Sequence, residues 1–158
     1  MRALVTMLFG LTVAAHAAVL TVDFNPNPLS GPPGDTLEFT GTLTNNTTNT
    51  VFINSDSFTF AIPGALDDTP FLNNAPISLG TSATSSPFIF FQVNIPAVQA
   101  PGPYTGAFTV LGGANGNAVD NLGVGNFEVD VIIPEPASWL LCGAAGLALL
   151  VRRRRTRT

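Results

Sequence analysis

Between Thr36 and Thr44 the chain alternates without a break. Leu37, Phe39, Gly41 and Leu43 fall on one side, and Thr36, Glu38, Thr40, Thr42 and Thr44 on the other. A period of two is the spacing of a β-strand with one buried and one wet face, and a helix does not sort residues that way. The same alternation recurs along the chain. Leu20, Val22 and Phe24 alternate with Thr21 and Asp23, and Tyr104, Gly106, Phe108 and Val110 with Thr105, Ala107 and Thr109. Phe127, Val129, Val131 and Ile133 are expected to face in, with Glu128 and Asp130 facing out. Val51–Ile53 and Phe58–Ile62 read as two more strands, and a weak one is expected near Val119–Leu122. Within Phe88–Ile95, Ile89, Phe91, Val93 and Ile95 give the core face; Phe88 and Phe90, on the other face, imply cover there as well.

Turn-forming clusters separate these runs: Asn25-Pro26-Asn27-Pro28, Ser30 to Asp35, Asn45 to Asn49 and Gly112 to Asn117. Residues 63–86 read as a long irregular loop with at most one short strand. Seven or eight short strands with no helix among them predict an all-β domain, an antiparallel two-sheet sandwich of immunoglobulin-like type. Tyr104 is placed to form a tyrosine corner.

The ends have a different character. Met1-Arg2, an apolar run from Ala3 to Ala15 and then Ala15-His16-Ala17 have the layout of a secretory signal peptide. Cleavage is expected after Ala17, with Ala15 and Ala17 as the small residues of the cleavage site. At the other end, Pro134-Glu135-Pro136 precedes the uncharged run Ala137–Val151, which is followed by Arg152, Arg153, Arg154 and Arg155. As a helix that run would span about 22 Å at 1.5 Å per residue, short of the roughly 30 Å hydrocarbon core. Snorkelling arginine stems lengthen its effective span, and Trp139 sits at the opposite end, where an interfacial aromatic belongs. The run therefore reads as one transmembrane helix, with Cys142 as a small packing residue inside it. Basic residues stay cytoplasmic, which puts the C-terminus inside and the preceding residues outside. The chain thus divides into a signal peptide (1–17), an exported domain (18–133) and a tail (134–158).

This tail resembles the PEP-CTERM sorting signal of Gram-negative bacteria. Pro134-Glu135-Pro136 matches the signature tripeptide, Ala137–Val151 the hydrophobic segment, and Arg152–Arg155 the basic end. The resemblance covers about a sixth of the chain and implies recognition by an exosortase, an integral-membrane cysteine-protease-like enzyme that cuts near the tripeptide. It implies an inner-membrane-anchored precursor delivered to the cell envelope or extracellular matrix, in the setting of exopolysaccharide and biofilm production. It says nothing about what the exported domain binds.

Every basic residue is Arg2 or lies within Arg152–Arg157, and the chain has no lysine. The exported domain carries Asp23, Asp35, Glu38, Asp56, Asp67, Asp68, Asp120, Glu128 and Asp130 with no side-chain cation. Nucleic acid is excluded as its partner, because phosphates require Lys or Arg. With His16 removed, the domain has neither histidine nor cysteine, so Ser-His-Asp and Cys-His catalysis and His-ligated metals are excluded too. A carboxylate-pair hydrolase is the one enzymatic arrangement left, but Glu38, Glu128 and Asp130 belong to expected wet faces.

Asp67 and Asp68, with Asn73, Asn74 or Asp120 nearby, are candidate oxygen ligands for calcium, against the simpler reading of turn formation. Asn45-Asn46-Thr47 and Asn46-Thr47-Thr48 fit the glycosylation sequon but suit a turn equally. The sequence supports a non-enzymatic exported surface or matrix protein that needs no cofactor. The alternative is a carbohydrate- or calcium-binding module, with exopolysaccharide as the ligand of interest; a hydrolase is the weaker third.

Overall fold

The computed structural model describes residues 18–133. The expected signal peptide with Ala15 and Ala17, the Pro134-Glu135-Pro136 tripeptide, the transmembrane helix and Arg152–Arg155 lie outside the described residues. Among the described residues no helix is long and apolar enough to cross a membrane.

The alternating segments form the expected strands: β1 (Leu20–Phe24), β2 (Leu29–Gly31), β3 (Thr36–Asn45), β4 (Val51–Phe60), β5 (Leu66–Asp67), β6 (Ser78–Leu79), β7 (Phe88–Asn94), β8 (Gly102–Gly113) and β9 (Asp120–Val131), with one short helix, α1 (Thr69–Asn74), between β5 and β6. They build two sheets, ordered β1-β3-β7-β5 and β2-β9-β8-β4-β6. The domain is a two-sheet β-sandwich. All pairings are antiparallel except β2 with β9, which is parallel. That exception corrects the all-antiparallel expectation. It arises because the proline-rich stretch after β1 carries the chain from one sheet to the other, so the Ser30-Gly31 segment, read as a breaker, becomes an edge strand.

The core between the sheets is largely phenylalanine. Phe39, Phe90, Phe91 and Phe108 have no exposed surface. Phe91 stacks on Phe39 in its own sheet at 4.7 Å and on Phe108 of the opposing sheet at 5.2 Å. Phe24 meets Phe90, Phe91 and Phe127 edge-on, the geometry in which the positive rim of one ring faces the negative face of another. With no disulfide and no cation in this domain, such burial is the main stabilising term.

Two bulges account for most of the departures from simple alternation. Phe39 pairs with Phe91, but the next residue, Thr40, pairs with Ile89, leaving Phe90 as the extra residue. Phe90 and Phe91 therefore both enter the core, and Ile89, expected there, is only partly buried. On β4, Ile53 pairs with Gly112 and Ser55 with Leu111, so Asn54 is the extra residue. Its amide nitrogen donates to Asn115 O (2.9 Å) and Ala118 O (2.8 Å), pinning the β8–β9 loop. Val51–Phe60 is consequently one strand, where two were expected. Likewise Asp120–Val131 is continuous, and Ile133, expected to face in, lies beyond β9 and is 67% exposed.

Residues 63–86 carry more structure than an irregular loop. β5 pairs with β7 at the edge of the first sheet, and β6 with β4 at the edge of the second. The intervening α1 therefore crosses the side of the sandwich. It places Phe71, 1% exposed, against Phe90 (5.6 Å) of the first sheet and Phe108 (5.1 Å) of the second. Pro70 suits the helix start, where its missing N–H is not needed.

Candidate functional site

A groove of about 600 Å³ lies on the outer face of the second sheet, lined mainly by Asn27, Thr59, Thr105, Asn126 and Glu128. Register puts those side chains together: Thr59 lies opposite Ala107, Ala107 opposite Asn126, and Thr105 opposite Glu128. One wall comes from the β1–β2 turn. Asn27 donates its amide nitrogen to Asn126 O (2.9 Å), and its amide oxygen accepts from Glu128 N (3.0 Å). Those are the bonds a neighbouring strand would make, so the side chain extends the β2–β9 pairing past Leu29. Beneath the groove Gly106 is bare because Phe127 fills the space: a Cβ there would stand 2.2 Å from the ring. The groove offers hydroxyl, amide and carboxylate groups and no cation, a surface suited to a neutral polar ligand.

The calcium candidates are not brought together. Asp67 lies at the edge of the first sheet, opposite Gln92, and Asp120 lies in the second, opposite Gly112. Among the described residues no three His, Cys, Asp or Glu side chains group closely enough to hold a metal ion. Asp67 performs turn chemistry: its Oδ1 accepts from Thr69 N at 3.0 Å. Hydrogen bonds from the Thr69 side chain and backbone hold its carboxyl below the usual range. Asn74 donates to Pro70 O. Glu38 accepts from Gln92 at 2.7 Å in the first sheet, while Glu128 and Asp130 belong to the second.

Three further side chains carry specific roles. Asn45, 1% exposed, donates to Asn49 O (2.8 Å), Leu79 O (3.1 Å) and Gly80 O (2.8 Å), and accepts from Thr47 N (2.9 Å) and Thr47 Oγ1 (2.8 Å). It ties the β3–β4 turn to β6, and with its amide enclosed it is no glycosylation acceptor. Asn46 is exposed and reaches Ala18 O and Thr21 Oγ1. Tyr104 donates its hydroxyl to Ala100 O at 2.8 Å, four residues upstream, the bond that defines a tyrosine corner.

Asp56 was not singled out in the sequence. Its Oδ2 is buried with no hydrogen-bond partner. Burial, and then the Asp68 charge, push its carboxyl up to about 7. A signal for it existed: Asp56 shares parity with Phe58 and Phe60, but the extra residue at Asn54 hides which face that is.

The sequence matches no family model and no curated protein. Among solved structures, the chain is similar to WR4, an MSP family member from C. elegans. That match has 8% identity and a TM-score of 0.41, covering 70% of this chain and 97% of that one. It is also similar to the CARDB domain of PF1109 from Pyrococcus furiosus, at 22% identity and a TM-score of 0.45, covering 73% and 96%. A family 123 glycoside hydrolase from Clostridium perfringens matches at 14% identity and a TM-score of 0.42, over 69% of this chain but 23% of that one.

Proposed function

We propose that this chain is a non-enzymatic surface or matrix protein, exported by its N-terminal signal and sorted through its C-terminal tail by an exosortase. The observation that carries the reading is the order Pro134-Glu135-Pro136, uncharged Ala137–Val151, Arg152–Arg155, placed after a domain free of side-chain cations. A body with no Lys or Arg and an end rich in Arg is the asymmetry that membrane topology selects. The sandwich suits such service because α1 closes its phenylalanine core at the side, with Phe71 against both sheets. We read it as immunoglobulin-like in its central strands, on the support of strand order: β1-β3-β7 and β9-β8-β4 follow the A-B-E and G-F-C arrangement. The short edge strands depart from that pattern, since β5 precedes β6 in the chain.

Mass spectrometry of the mature product from cells with and without the exosortase tests the reading. It calls for a chain starting at Ala18 and ending near Pro134 in the first, and one retaining Arg152–Arg155 in the second. An identical C-terminus in both would remove exosortase sorting. The groove beside Asn27 favours a second role, contact with a neutral polysaccharide, since Thr59, Thr105, Asn126 and Glu128 present hydrogen-bonding groups to it. Titration with neutral glycans, comparing Asn126→Ala with the parent chain, tests that role; equal affinity in both would remove it.

A further inference from the structure

The side of the sandwich closed by α1 holds two carboxylates with nothing to neutralise them. Beside β4, β6 covers only Val51 and Phe52, and Ile53 N bonds to Ile77 O. Past the Asn54 bulge, Asp56 pairs with Val110 and Phe58 with Phe108, both partners fully buried. Asp56 therefore shares the inward face of the sheet, and its Oδ2 meets neither solvent nor a donor. The helix lies alongside, packed mainly on β7, whose apolar Phe88 and Phe90 rings meet Phe71. Phe71, Leu72 and Ala75 face Ile53, Asn54 and Ser55 across a cavity of about 110 Å³. Asp68 opens the helix, but its side chain makes no capping bond there, and its charge bears on Asp56. The other groups nearby offer no relief. Phe108 and Val110 on β8 are apolar, Asp67 on β5 is engaged with Thr69, and residues 18–133 contain no Lys, Arg or His.

We propose that Asp56 and Asp68 form a proton-controlled latch: with Asp56 neutral, α1 stays seated and Phe71 plugs the side of the sandwich, and when Asp56 gives its proton to solvent the two like charges loosen α1 from the side of the sandwich. Burial first, and Asp68 second, already lift the Asp56 carboxyl to about 7 in the closed form. In an open form Asp56 would be hydrated and titrate near the ordinary carboxylate range, about 4. The closed form thus binds more protons between those values, so raising pH across that window favours opening, and above about 7 the effect levels off. Opening would uncover Phe71 and the inter-sheet cleft between Phe90 and Phe108.

Hydrogen exchange on the full-length chain in detergent, at pH 5 and pH 7.5 and corrected for intrinsic exchange, tests the latch. The amides of Phe71, bonded to Asp68 O, and Ala75, bonded to Phe71 O, report on α1; β3 amides serve as the reference. Allowing for the screening of a half-buried group, the expected result is a rise of at least about tenfold in α1 opening at the higher pH relative to β3, and no rise in Asp56→Asn. A pH-independent α1 in the parent chain, or an equal rise in Asp56→Asn, would overturn the proposal. Should Asp56→Asn not fold, Asp68→Asn decides the matter. It is expected to lower the Asp56 titration midpoint, read by carboxyl carbon NMR, and to reduce the rise; an unchanged midpoint and rise would overturn it.

Discussion

Asn45 is the side chain on which the β3–β4 turn and β6 jointly depend, and replacing it with alanine should be among the costliest single changes in the domain. Its amide makes five hydrogen bonds of 2.8–3.1 Å from a site 1% exposed. A neutral hydrogen bond contributes roughly 1 kcal/mol net, and a buried group left without its partner costs about 1–3 kcal/mol. Asn45→Ala removes all five, the one to the Leu79 carbonyl from a buried site, while the part-buried ends of the others recover some water. The sum is about 3–5 kcal/mol, a large share of the roughly 5–15 kcal/mol that holds a domain folded. Urea unfolding of residues 18–133 measures it, with a midpoint shift of about 2–3.3 M for a slope near 1.5 kcal/mol per molar. Asn46→Ala, which removes bonds only at the surface, should cost under about 1 kcal/mol. A loss below about 1 kcal/mol for Asn45→Ala, or equal losses for the two, would refute the assignment of Asn45 as the tie.

The remaining predictions concern packing and titration. Phe71→Ala should cost about 3–5 kcal/mol by denaturant unfolding, because its ring touches both sheets; a cost near that of an exposed residue would show that α1 does not close the sandwich. Gly106→Val should destabilise by at least about 1–3 kcal/mol, since even its Cβ would stand 2.2 Å from the Phe127 ring; an unchanged unfolding midpoint contradicts this. Tyr104→Phe removes the bond to Ala100 O and should cost about 1 kcal/mol; no loss would mean that the corner is not stabilising. Because the Asp56 carboxyl is raised to about 7, the folded state binds more protons than the unfolded chain between about pH 4 and 7, and its contribution to stability declines as pH rises through that window. Allowing for the screening of a half-exposed group, the decline is about 1–2 kcal/mol and is absent in Asp56→Asn; equal slopes in the two chains would dismiss it.

Much of the sandwich was legible because its strands are half-buried. Thr36–Thr44 shows one wet and one dry face directly in its order of residues, and the fold extends it only by Asn45. Bulges defeat that reading. A single extra residue reverses the faces downstream, so Phe90 was assigned away from the core it enters, and the polar run Asn54 to Ser57 looked like a gap between strands. The helix was hidden for another reason: Thr69–Asn74 contains proline, threonine and two asparagines, and its one buried side chain, Phe71, sets no period. The groove was beyond sequence reasoning because Asn27 and Asn126 lie far apart in the chain and meet only through strand pairing. The calcium candidates were grouped by chemistry, and the fold separates Asp67 from Asp120 by placing them in different sheets.

The central claim is that the cation-free sandwich stands outside the membrane and the arginines stand inside. A cysteine at Gly116, where an added side chain meets nothing within 4 Å, reports on this directly. In spheroplasts of exosortase-deficient cells, Gly116→Cys should react with a membrane-impermeant maleimide before lysis, on a chain that sediments with membranes, while the parent chain with only Cys142 does not react. Labelling of Gly116→Cys only after lysis, on a chain recovered from the cytosol, would contradict the account.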